Sequence, residues 1–286
     1  MDILMREINF ISYRRMFYLG NEISQSIKVI CLGGVGELGK NMYVVEVNDD
    51  LFVIDAGLMF PEDEMFGIDI VIPDFSYLVE NKPRIRGIFL SHGHEDHTGA
   101  IAYILKNITV PVYGTKLTLA LTKVKLKEHG LSMEIDFREV KENTRLKFEH
   151  ANISFFHVNH SIPDSVGICI ETKHGHIVYT GDFKFDQSAD PLYRAHISKM
   201  AKIGDRGVLC LLSDSTESEK EGYTPSEITI AKELDDVFKR AKGRIIFACY
   251  ASQINAIQRL INVAHHSERK VAIIGRTLQN VFQVAT

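Results

Sequence analysis

Ser91-His92-Gly93-His94-Glu95-Asp96-His97 is the stretch whose reading decides the rest of this chain. It follows an apolar, β-type run over residues 85–90 and precedes Thr98-Gly99-Ala100, where a helical period over 98–106 begins. Its polar residues therefore stand at the mouth of a strand-to-helix turn. Imidazole nitrogen and carboxylate oxygen crowded into a few positions are a metal-ligand composition suited to zinc or manganese. His92 and His94 are two apart and can point the same way from an extended segment, whereas Asp96 and His97 turn away in the following bend and can serve a second ion. A solvated histidine-rich loop is the bland alternative, and what stands elsewhere in the chain argues against it.

Further acidic or histidine residues stand at other strand ends. Asp55 closes the run 51–54, His160 follows 153–158, and Asp182 follows 177–180 across Gly181. Each taken alone reads as a turn or cap residue. Together with the histidine cluster they gather at one edge of the sheets, where α/β sites form. Other β-type runs are expected over 27–32, 42–47, 110–114, 166–171 and 208–212, with helices over 116–129, 225–240 (Thr224 as N-cap) and 253–266. Hairpins come first and strand–helix alternation later, which predicts an α/β sandwich rather than a simple doubly wound sheet. After Ser213-Asp214-Ser215-Thr216 the pattern becomes helix, strand (244–249), helix, strand (270–275) and a helix from about residue 277, which looks like a βαβ region belonging to a longer architecture. Residues 1–26 read as a short helix or frayed leader without chemistry.

Composition excludes several classes. With 286 residues, 45% hydrophobic and 24% charged, the chain is globular and long enough for one large or two ordinary domains. No run approaches the roughly 18 apolar residues of a membrane span, so a soluble, cytoplasmic protein is expected. Cys31, Cys169, Cys210 and Cys249 are far apart without CxxC spacing, and read as buried thiols of a reducing compartment rather than as a metal site. A net charge of −4 argues against a polyanion-coating surface but leaves room for a local basic groove. Lys116, Lys123, Lys125 and Lys127 read as a solvated helix face; Lys184, close to Asp182, is the better phosphate contact. Gly34, Gly36 and Gly39 match a dinucleotide fingerprint and, with Lys40, part of a P-loop. Both motifs need a helix to open at the glycines, yet Met42-Tyr43-Val44-Val45-Glu46-Val47 is strand-like, so a glycine turn between strands is expected instead.

In their order, Asp55, the His92-x-His94-x-Asp96-His97 run, His160 and Asp182 resemble the motifs of the metallo-β-lactamase fold, and Ser213 to Thr216 resembles the entry into a β-CASP domain. The words Phe60-Pro61-Glu62-Asp63-Glu64, Val71-Ile72-Pro73-Asp74, His160-Ser161-Ile162-Pro163-Asp164-Ser165 and Thr180-Gly181-Asp182-Phe183-Lys184-Phe185-Asp186 resemble the ribonuclease J family from about residue 27 onward. The resemblance implies an incomplete αββα sandwich over 27–226 followed by the start of an α/β β-CASP domain over 227–286. It implies that His92, His94 and His160 hold one zinc or manganese ion, that Asp96 and His97 hold a second, that Asp182 bridges them, and that Asp55 and Asp214 support the site from behind. It implies a metal-dependent ribonuclease, both endonucleolytic and 5′-to-3′ exonucleolytic, acting in RNA processing and decay. Its substrate would be single-stranded RNA with a 5′-monophosphate, touched by Lys184 and Ser161, and its assembly a homo-oligomer or hetero-oligomer with a paralogue. Because the family is longer, and its further ligand histidine and phosphate pocket come later, the chain is expected to be a poorly active fragment. A small-molecule metallo-hydrolase acting on a thioester or lactone, and a catalytically silent partner subunit, are the alternatives.

Overall fold

The computed structural model describes residues 15–18, 26–131, 134–186, 194–224 and 226–285. Strands β1 (Arg15–Tyr18), β2 (Ile27–Gly33), β3 (Met42–Val47), β4 (Asp50–Ile54), β5 (Ile85–Phe89), β6 (Val112–Gly114) and β7 (Phe137–Glu139) form one sheet in chain order. Its first four strands are antiparallel and the rest add in parallel. Strands β8 (Arg145–Lys147), β9 (Asn152–His157), β10 (Val166–Thr172), β11 (Gly175–Tyr179) and β12 (Val208–Leu212) form the second sheet, antiparallel except where β12 joins β11. Helices α1 (Ser76–Glu80), α2 (Glu95–Thr98), α3 (Ile101–Leu105), α4 (Lys116–Glu128), α5 (Ile197–Asp205), α6 (Glu227–Arg240), α7 (Ile254–His266) and α8 (Arg276–Ala285), with a short 3-10 helix at Lys82–Arg84, complete the described elements.

Three apolar layers account for the stacking. Val45, Phe52, Ile54 and Phe89 of the first sheet meet Ile153, Phe155, Ile168 and Ile177 of the second. Val44, Val53 and Ile88 turn the other way, onto Ile101, Ile104, Leu119 and Leu126 of α3 and α4. On the far side, Phe156, Cys169 and Val178 pack against Met200 and Ile203 of α5. Strand β3 is buried along its whole length because both its faces are covered. The expected αββα sandwich is thus observed.

Several local expectations differ from the structure. Residues 15–18 of the supposed leader pair antiparallel with β2; the remainder of that call lies outside the described residues. The helix expected over 98–106 begins at Glu95 and is divided at Gly99-Ala100, because the Ala100 N–H bonds the Ala56 carbonyl instead of its own helix. Helix α6 starts later than Thr224, with the Ser226 carbonyl accepting from the Thr229 and Ile230 N–H groups. The strands expected over 244–249 and 270–275 do not form. An apolar run becomes a strand only with a hydrogen-bonded neighbour, and among the described residues no ladder bond reaches either run, leaving Ile246 95% and Ile274 85% exposed. Residues 34–41 connect antiparallel β2 and β3 without a helix, as the glycine-turn reading requires, and Gly34, Gly36 and Gly39 carry φ of 81°, 73° and 93°. Among the described residues no helix is long and apolar enough to cross a membrane.

Candidate metal centre

The ends of four strands converge on one point. Two residues past β5 stands Ser91, whose N–H donates to Asp55 Oδ1 at 2.7 Å and whose Oγ donates to Asp55 Oδ2 at 2.8 Å. Asp55 follows β4 with φ of 57°, a left-handed conformation unusual for a residue with a Cβ, and is fully buried. Its Oδ2 also accepts from Tyr179 Oη at 2.8 Å and His97 Nδ1 at 2.7 Å. A carboxylate can only accept here, so the hydrogen sits on His97 Nδ1 and Nε2 is turned toward Asp182 Oδ1 (3.2 Å) and Asp96 Oδ2 (3.4 Å).

Backbone contacts pin the turn itself. Carbonyls of Glu95, Asp96 and His97 accept from the N–H groups of Leu58, Asn41 and Ala56. Gly57 is needed at that crossing, since a Cβ there would stand 1.7 Å from the Asp96 carbonyl oxygen. From the helix side, Lys125 Nζ reaches Glu95 Oε2 at 2.6 Å and Thr98 Oγ1 at 3.0 Å, and Thr98 Oγ1 donates to the His94 carbonyl. Lys125 is therefore not part of a solvated face: its side chain is 11% exposed. Lys116, Lys123 and Lys127 are exposed as expected.

Two sets of ligand atoms result. His92 Nε2 and His160 Nε2 each lie 3.1 Å from His94 Nδ1, with Asp182 Oδ2 3.9 Å from His92 and 3.5 Å from His160. These four residues form one candidate cation group, and Asp96, His97 and Asp182 form another, so Asp182 belongs to both. Electrostatics favour the ligating forms. Burial, then the neighbouring rings, push His92 well below the usual imidazole range; burial and His160 bring His94 to about 4; burial also lowers His160. Burial alone would raise Asp182, but the His97, His160 and His94 rings outweigh it and lower the carboxyl to about 2. His97 behaves oppositely: burial disfavours its charge, yet Asp182 and Asp55 together hold it well above the ordinary value. Without a cation, that position draws in a proton. Converging ring nitrogens and a carboxylate pair that demands positive charge fit divalent metal.

Asp214 lies further back, with Oδ2 accepting from the Phe183 N–H at 3.4 Å and Oδ1 from the Thr216 N–H at 2.8 Å, so it braces the loop that carries Asp182. Lys184 is joined to Asn159 by backbone pairing, and Ser161 offers its carbonyl to the Asn255 N–H. Asn255 Nδ2 also donates to the His160 carbonyl at 3.0 Å, tying helix α7 to a ligand loop. Sequence reasoning missed Asn41, whose Nδ2 lies 3.2 Å from His97 Nε2, and gave no role to Ser91, Tyr179 or Lys125. Ser91 alone had a signal, its place inside the motif. Beside the ligand atoms opens a cleft of about 810 Å³, lined by Gly34 to Gly39, Asn41, Asp96, Asp182 and residues 211–220.

Residues 35–220 match the Metallo-beta-lactamase superfamily, and residues 242–286 match the ribonuclease J beta-CASP domain. The chain belongs to the metallo-beta-lactamase superfamily. Divalent metal use comes with that membership. Relatives named Ribonuclease J 2, from Staphylococcus epidermidis and Staphylococcus aureus, are 51% identical over 262 residues, 92% of this chain and 47% of theirs. The ribonuclease J resemblance is borne out, while the chain spans about half the length of these curated relatives. A crystal structure of a protein of unknown function from Enterococcus faecalis V583 shares the fold, with TM-score 0.68 and 18% identity over 91% of this chain and 68% of that one.

Proposed function

We propose that this chain is part of a metal-dependent ribonuclease that hydrolyses RNA phosphodiester bonds, cutting internally and trimming from the 5′ end. The observation that carries the reading is the sharing of Asp182 between two ligand groups at the edge of an open cleft. His92, His94 and His160 would hold one ion, Asp96 and His97 the second, and Asp182 both, with zinc or manganese as the metal. When bound, such a pair supplies acidified water and charge stabilisation for phosphoryl oxygens. Asp96, 36% exposed and lining the cleft, would help orient or deprotonate the attacking water. Asp55 keeps His97 in the tautomer that offers Nε2. Lys184 and Ser161 would contact phosphate of a single-stranded substrate with a 5′-monophosphate. We assign 27–226 to the metallo-β-lactamase domain and 227–286 to the β-CASP domain, in a cytoplasmic homo-oligomer or hetero-oligomer with a paralogue. The names of the Staphylococcus relatives support the substrate class.

The test is manganese-supported cleavage of 5′-monophosphorylated RNA by the chain and by a version extended with the C-terminal half of a ribonuclease J relative, each beside its Asp182→Ala variant. RNA cut by the extended protein and spared by its variant supports the reading. RNA left intact while a lactone or thioester is hydrolysed overturns it.

A further inference from the structure

A second set of metal-ligand side chains stands apart from the cleft. Cys169 and Glu171 stand two positions apart on β10, and His176 of β11 pairs with Glu171 in the strand register, so all three project from the same face. It is the outer face of the second sheet, where Cys169 packs with Phe156 and Val178 under α5. A thiol sulfur, a carboxylate oxygen and a ring nitrogen there lie within 4.8 Å of one another. His176 is the second residue of β11, whose far end leads on to Asp182, so the two lie at most roughly 20 Å apart at about 3.3 Å per residue.

Each of the polar ligands is already oriented by an outer partner. His176 Nδ1 lies 3.0 Å from the Gly207 carbonyl, which can only accept, so the hydrogen is on Nδ1 and Nε2 keeps its lone pair. Glu171 Oε1 accepts from Ser154 Oγ at 3.2 Å, and its other oxygen pairs with Arg145. A carboxylate offers about four lone-pair sites, so these two bonds leave room for a cation. Outer bonds of this kind, an imidazole N–H on a backbone carbonyl and a hydrogen-bonded carboxylate, are how ligating residues are held. Cys169 and His176 are buried, at 0% and 8% exposure. Sulfur, nitrogen and oxygen donors in one cluster suit a borderline-soft ion.

We propose that Cys169, Glu171 and His176 form a single-ion zinc site, distinct from the cleft, that ties the β10–β11 hairpin to the Gly207 turn before β12. The wide spacing of the four cysteines argued against a cysteine metal site, but strand pairing, not a second cysteine, supplies the partners here. Burial and the adjacent Glu171 charge push the Cys169 thiol up to about 12, so zinc uptake must displace a proton and weakens as pH falls.

Cobalt(II) is the discriminating probe, because a thiolate–cobalt charge-transfer band in the near ultraviolet requires a sulfur ligand and the cleft groups contain none. The band should appear in the wild-type chain, persist in His92→Ala His94→Ala, and vanish in Cys169→Ser and His176→Ala with loss of one equivalent of bound zinc. No band in the folded wild-type protein overturns the proposal without any variant having to fold. A band that survives Cys169→Ser, and so comes from Cys31, Cys210 or Cys249, overturns it as well. None of these outcomes depends on whether the cleft cuts RNA.

Discussion

Asp55→Asn changes one atom's chemistry at the hub of the centre. Asp55 Oδ2 receives Ser91 Oγ, Tyr179 Oη and His97 Nδ1, all within 2.8 Å, in a site with no exposure. With an amide nitrogen at that position, a donor faces three donors. Both hydroxyls can rotate to accept, but the imidazole can do so only by moving its hydrogen from Nδ1 to Nε2, the atom facing Asp96 and Asp182. If the amide instead presents its nitrogen to the Ser91 N–H, the 2.7 Å backbone bond is lost. Losing one charge-assisted buried bond costs about 2–3 kcal/mol, roughly 5–10 °C in melting temperature for a domain of this size. Loss of a group that orients a metal-binding histidine weakens metal by roughly 10–100-fold. Calorimetric titration with manganese and thermal melts of the ion-free protein measure the two effects. The second ion should weaken far more than the first, whose ligands do not touch Asp55. Unchanged affinity for both ions in a folded Asp55→Asn protein would refute the tautomer reasoning.

Lys125→Met should lower stability by about 1–3 kcal/mol, between an exposed and a fully buried ion pair because Glu95 is 44% exposed, and should weaken metal binding; Lys127→Met, on the exposed face, should do neither in the same melts and titrations. Acid should destabilise the ion-free protein. His92, His94 and His160 have folded values below the usual 6.5, that of His94 at about 4, so as pH drops below the usual value the unfolded chain binds protons that the folded one refuses, and stability falls as pH falls. His97, raised in the folded state, contributes its stability in full below its unfolded value and loses it only on the alkaline side, so it does not offset this loss. Urea titrations between about pH 7 and about pH 5 should show the decline, and it should be shallower in His94→Gln.

How much of this was legible in the sequence depended on distance along the chain. His92, His94, Asp96 and His97 announce themselves because four ligand residues fall within six positions, and Asp55, His160 and Asp182 because each closes an apolar run. All seven converge as expected. Partners that meet only through folding left no local trace: Tyr179 lies 124 positions from Asp55, and Asn41 lies 56 from His97. Lys125 looked like its helical neighbours, since only the docking of α4 against the motif turn buries it. Strands β7 and β8 were missed because three residues carrying charge at an edge show no period. Residues 244–249 show the reverse failure, with an apolar signature and, among the described residues, no neighbouring strand to pair with.

The central claim is that Asp182 joins two ligand groups into one two-ion centre, and electron paramagnetic resonance of the manganese-loaded chain tests it most directly. Manganese is the probe of choice because the Cys169 cluster, with its thiol, disfavours that harder ion. The account predicts an exchange-coupled pair whose hyperfine pattern collapses to that of isolated manganese in Asp182→Ala. Isolated, uncoupled manganese in the fully loaded wild-type protein would contradict it.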